Sequence, residues 1–148
     1  MNLQGKRVLV FGTGKSGIGA ADLLEQTGAH VILFDGNENT DKDAVLGKLA
    51  HGEKAEIYAG ELPKEVEAAL DLVVLSPGVP TDIPVVQKFY DMGLPVWGEV
   101  ELAYRTGKGR VLAITGTNGK TTTTALLGKI MSDAEESVFV VGNIGTPY

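Results

Sequence analysis

The chain has 148 residues, 43% apolar and 22% charged, enough for one α/β domain or one domain with part of a second. Its net charge of −6 argues against a general nucleic-acid or anionic-membrane surface, so a bound polyanion must be gripped locally. Cysteine is absent, which excludes disulfides and thiolate metal sites. The opening apolar run is too short for a signal peptide or membrane span, and a soluble cytoplasmic protein is the expectation.

RVLVF (7–11) is an apolar, β-branched run stopped by glycine and reads as a buried strand. A helical pattern follows, with Ile18, Ala21 and Leu24 on one face and Gly28 at its end. HVILFD (30–35) is the next strand. The polar stretch after it holds DKDAVLGKLA, a short helix with Val45 and Leu49 inward. AEIYA (55–59) reads as a strand and PKEVEAAL (63–70) as a helix opened by Pro63. DLVVLS (71–76) is a strand, PGVPTD a rigid loop, and PVVQKFYDMG a helix with Val85, Val86, Phe89 and Tyr90 inward. PVWG (95–98) is a short strand and EVELAYRTG a helix ended by Gly107. RVLAIT (110–115) then restarts the theme of strand, glycine turn and helix. Its helix carries Leu126, Leu127, Ile130 and Met131 as an inward face, and SVFVV (137–141) is a further strand.

Strands alternating with helices give an α/β class with a parallel sheet. Residues 1–95 form a complete set of units and read as a Rossmann-like domain. Residues 96–148 read as a hinge (96–109) and the truncated start of a P-loop ATPase α/β domain. The chain is therefore expected to be a piece of a longer protein.

FGTGKSG (11–17) matches G-x-G-x-x-G through Gly12, Gly14 and Gly17. A Walker reading of Gly14-Lys15-Ser16 fails because Leu9 stands where its first glycine belongs. The strand before, the helix after and Asp35 at the end of the next strand fit the Rossmann fingerprint. Such a turn brings a diphosphate to the free N–H groups and positive end of a helix. Asp35 would accept hydrogen bonds from a ribose or base edge. NAD and a UDP-sugar both satisfy this chemistry, and so would a turn that only links strand to helix.

ITGTNGKTTTT (114–124) supplies a second loop. Gly119-Lys120-Thr121 ends a P-loop shortened at its front, since Ile114 stands where the strict pattern wants glycine and the motif starts at Gly116. The N–H groups of Thr117, Asn118, Gly119, Lys120 and Thr121 can wrap the β-phosphate of ATP, with Thr122 in the same turn. Lys120 can reach the β/γ oxygens as the catalytic cation, and the Thr121 hydroxyl can ligate Mg2+. His30 and His51 have no ligand-spaced company and read as surface residues, Trp97 as packing, Glu99 and Glu101 as a solvated helix start, and Glu135-Glu136 as a solvated turn.

TGTNGKTT resembles the ATP loop of the Mur ligase family and of the related folylpolyglutamate synthetases. FGTGKSG, VVLSPGVP (73–80), WGEVEL (97–102) and VVGNIGTP (140–147) resemble the Mur branch, in family order along essentially the whole chain. The resemblance implies an ATP-dependent ligase of peptidoglycan synthesis. GNIG with SPG and GEVEL points to the branch that adds D-glutamate to UDP-N-acetylmuramoyl-L-alanine through an acyl phosphate.

It further implies that Lys15, Ser16 and Gly17, beside Gly14, meet the diphosphate, and that Asp35 meets the uridine. Ser76, Pro77 and Gly78 would form a second wall of that pocket, and Asn143 would touch the sugar or diphosphate. Where the family often has Thr-Arg after the aspartate, this chain has Gly36-Asn37. The family's remaining metal ligands and D-glutamate site are expected beyond Tyr148. This stretch is expected to bind nucleotide as a monomer, without ligase activity.

Overall fold

The computed structural model describes residues 2–50 and 55–142, which fall into two compact units divided after Gly107. In the first unit β1 (Arg7–Phe11), β2 (His30–Asp35), β3 (Glu56–Ala59), β4 (Leu72–Leu75) and β5 (Val96–Gly98) form a sheet of order β3-β2-β1-β4-β5. Every pairing is parallel. The connections carry α1 (Lys15–Gln26), α2 (Lys42–Leu46), α3 (Lys64–Ala68) and α4 (Pro84–Asp91), and α5 (Glu99–Thr106) follows β5.

Because successive side chains of a strand point to opposite faces, the apolar runs build two cores at once. Val8, Val10, Val31, Leu33, Leu72 and Val74 face one side and are covered by Ala21 and Leu24 of α1, Val45 of α2 and Leu102 of α5. Leu9, Phe11, Ile32, Phe34, Val73 and Leu75 face the other, under Val86 and Phe89 of α4 with Leu62 and Leu70. The Phe11 and Phe34 rings meet there with centroids 4.7 Å apart. Local signals start the short helices: the Asp41 carboxylate accepts from Ala44 N–H at 3.0 Å before α2, and Pro84 opens α4 with its fixed φ.

The boundary expected at residue 95 lies further on. Val96–Gly98 adds to the sheet edge in register with Val73–Leu75, and Leu102 of α5 is fully buried, so both elements belong to the first unit instead of a hinge. Tyr90, expected inward, is 45% exposed, because the eight-residue α4 turns Val86 and Phe89 toward the sheet and leaves their neighbour at its rim.

In the second unit α6 (Lys120–Ala134) is the one regular element among the described residues. The expected strands 110–115 and 137–141 form no ladder there. Leu126 and Ile130 of α6 stand 62% and 54% exposed, against the expected inward face, while Leu127 and Met131 are half-buried. No described helix is long and apolar enough to cross a membrane.

Candidate functional site

Strand order reverses between β1 and β4, and the loops after them meet at that switch point, where open α/β sheets leave a crevice for ligands. Gly12 leaves β1 at φ +106°, a conformation that L side chains rarely adopt, with its N–H still donating to Phe34 O at 2.8 Å. Gly14 is the N-cap of α1 and offers no side-chain cap; no acidic residue stands in the first turn. The N-terminal N–H groups of Lys15, Ser16 and Gly17 and the positive end of the helix dipole are thus turned toward the crevice, with Lys15 exposed beside them.

Gly17 permits this closeness. A Cβ there would fall 1.9 Å from Gly12 O and 2.9 Å from Ser76 Oγ. Ser76 leaves β4 with its N–H donating to Phe11 O at 3.0 Å, its hydroxyl donating to Gly12 O at 3.4 Å, and its carbonyl accepting from Val79 N–H at 3.0 Å. The Ser76-Pro77-Gly78 turn is therefore a wall set directly against the glycine loop. Beyond it opens a hollow of about 240 Å³, lined among others by Ser76, Pro77, Tyr90 and Trp97. Arg105 stacks on Trp97 at 4.8 Å and pairs with Glu101 at 2.5 Å, so the tryptophan packs as its sequence context suggested.

Asp35, at the end of β2, reaches back to the same loop. Its Oδ2 accepts from the Thr13 hydroxyl at 2.5 Å and from Thr13 N–H at 3.3 Å, and its Oδ1 from Asn37 N–H at 3.0 Å. Burial pushes this carboxyl up, but the Thr13 hydroxyl, the two N–H donors and the Thr40 hydroxyl outweigh it and hold the group below the ordinary aspartate value. Thr13 was not singled out from the sequence. The only signal there is a hydroxyl inside G-T-G, whose partner lies 22 residues away.

Gly14, Lys15, Ser16, Gly17, Asp35, Ser76, Pro77 and Gly78 thus gather at the carboxyl ends of β1, β2 and β4. Asn143 and His51 lie outside the described residues, and His30 is exposed at the start of β2.

The second loop stands in the second unit. Gly116 and Gly119 take φ +146° and +78°, and Gly119 is the left-handed N-cap of α6. The Lys120 ammonium folds back over the loop and donates to the carbonyl oxygens of Gly116 and, at 3.4 Å, Thr117. It sits at the loop mouth, where the first-turn N–H groups of Lys120, Thr121 and Thr122 begin. Two left-handed glycines, a cation and an uncapped helix start fit a nucleotide phosphate. Thr121 is exposed and fits as one oxygen donor to Mg2+. No group of three or more acidic or histidine side chains among the described residues forms a separate metal cage.

The family described as Mur ligase MurD-like, N-terminal domain, matches residues 6–98, and that described as Mur ligase middle domain matches residues 114–148. The chain belongs to the Mur ligase family. A UDP-N-acetylmuramoylalanine–D-glutamate ligase of Lachnospira eligens is 55% identical to it over 148 residues, all of this chain and 33% of the relative. One from Lachnoclostridium phytofermentans has the same identity and coverage. The chain therefore spans about a third of the length of the curated relatives it matches. A murein peptide ligase of Psychrobacter arcticus, 26% identical, superposes with a TM-score of 0.58 over 88% of this chain and 27% of its own. The Mur ligase match covers both glycine loops, so the two loops are parts of one ligase family and FGTGKSG need not be read by itself.

Proposed function

We propose that this chain is the UDP-binding domain and ATP loop of a ligase that joins D-glutamate to UDP-N-acetylmuramoyl-L-alanine at the expense of ATP. The observation that carries the reading is 55% identity, over every residue, to relatives bearing that name.

The first unit holds the UDP portion. The first-turn N–H groups of α1 and the Lys15 ammonium receive the diphosphate, Ser16 adds a hydroxyl, and Ser76-Pro77-Gly78 closes the pocket from the β4 side. Asp35 accepts a hydrogen bond from the uridine. In the second unit Gly116 to Thr122 cradle ATP. Lys120 exchanges its loop carbonyls for the β/γ oxygens, and its charge stabilises the phosphoryl group as it moves to the alanyl carboxylate. The acyl phosphate so formed is attacked by the amine of D-glutamate, and phosphate leaves. Mg2+, when bound with Thr121 as one ligand, offsets phosphate charge. The chain supplies position and fixed dipoles, which suits a reaction that must bring several anions together.

The protein works in the cytoplasm as a monomer, without nucleic acid or membrane insertion. These 148 residues are expected to bind nucleotide without forming the amide. Calorimetric titration with UDP, UDP-N-acetylmuramoyl-L-alanine and NAD tests the proposal. Binding of the two uridine ligands and none of NAD is expected; the reverse pattern would sink it.

A further inference from the structure

Asp35 does not stand free at the mouth of the nucleoside pocket. Its Oδ2 receives two donors from one residue, the Thr13 hydroxyl at 2.5 Å and the Thr13 N–H at 3.3 Å. Oδ1 receives Asn37 N–H at 3.0 Å. An ionised carboxylate offers about four acceptor positions and no donor. Thr13 thus occupies Oδ2 with two donors, while Asn37 N–H and the Thr40 hydroxyl, both from the segment after β2, also bond the carboxylate. We propose that Thr13 is a positioning residue of the nucleoside site: it clamps Asp35 to the glycine loop, so that the carboxylate is presented to the ligand in one orientation.

The clamp joins two elements that a ligand must meet together. Thr13 lies between Gly12 and Gly14, in the loop that leads to the α1 N-terminus, while Asp35 ends the neighbouring β2. Pinning the carboxylate to that loop fixes the spacing between the diphosphate donors and the nucleoside acceptor before anything binds, which lowers the cost of ordering. The ligand partner of Asp35 must be an N–H or O–H donor of the nucleoside, because an ionised carboxylate only accepts; this part rests on the uridine reading given above. The groups that bear on the carboxylate are Thr13 from the β1–α1 loop and Asn37 and Thr40 from the segment after β2, none of them charged, so its titration reports the clamp and not a neighbouring ion.

Three forms of the chain test this: unaltered, Thr13→Val, which keeps the shape and removes the donor, and Thr13→Ser, which restores it. The Asp35 carboxyl is titrated by carbon-13 NMR without ligand, and UDP affinity is measured by calorimetry. Thr13→Val is expected to move the carboxyl titration toward higher pH and to weaken UDP about fivefold. Thr13→Ser is expected to return both toward the original. A carboxyl that titrates identically in all three forms overturns the clamp, whatever binds. A titration that moves while UDP affinity stays unchanged overturns its role in the site. Failure of the unaltered chain to bind UDP at all would instead overturn the uridine reading, and the ligand-free titration would still decide the clamp.

Discussion

Ser76 and Gly12 touch across the gap between β4 and β1: the serine hydroxyl donates to the glycine carbonyl at 3.4 Å, and a Cβ on Gly12 would lie 2.8 Å from the serine Cβ. Gly17 completes the contact from the helix side, with room for no side chain, since the atom in its way is the backbone oxygen of Gly12. Gly17→Ala must push α1 off the loop. We expect a loss of about 1–3 kcal/mol by urea unfolding, as for other overpacked sites, together with loss of UDP binding. An alanine variant with unchanged stability and affinity would show that the helix start is not seated as described.

The Glu67 carboxylate of α3 is buried and bonded to the Lys88 ammonium of α4, which keeps half its own surface in water. Lys88→Met leaves a desolvated carboxylate without that partner and should cost about 1–3 kcal/mol. Adding Glu67→Gln should recover part of the loss. Urea unfolding of both singles and the double gives the coupling, and strictly additive effects would contradict the pair.

Asp71 accepts from the Lys6 ammonium at 2.7 Å and from Arg7 N–H at 2.9 Å, and these bonds hold its carboxyl below the usual value. The folded value is depressed, so its stabilising effect is fully present above the unfolded value near ~3.9. It is lost as pH falls through the folded value. Asp71→Asn should therefore lower Tm at neutral pH and converge with the unaltered chain as the pH falls through the acid range. A difference that is constant over that range would rule out the charge as its source.

Lys120 is exposed, and its bonds are to carbonyl oxygens of its own loop. Lys120→Ala should leave the unfolding midpoint unchanged and weaken ATP about tenfold or more, because a charge-assisted contact to phosphate is removed. Equal ATP affinity in the two forms would take the loop out of the proposed site.

The apolar runs of β1, β2 and β4 and the spacing of Val86 and Phe89 were legible because burial on both sheet faces demands them. Gly12, Gly17, Gly116 and Gly119 were legible for a related reason: left-handed backbone or close approach leaves few other choices at them. The place of β5 was not, since three residues holding Trp97 carry little periodicity and their membership depends on pairing with β4. Thr13 escaped for the same kind of reason, as a hydroxyl gains meaning only from the carboxylate that folding sets against it. The outward apolar residues of α6 show the converse: helical spacing says which side chains share a face, and what covers that face is a tertiary matter.

β1 has a hydrogen-bonded neighbour on each side from Val8 to Phe11. Its amide protons should consequently be among the last in the first unit to exchange with deuterated solvent, since their release requires the sheet to open. The glycine turn is rooted in that slow-exchanging strand. UDP should therefore meet a rigid receptor, with a small loss of backbone entropy on binding and little further protection to add at residues 8–11.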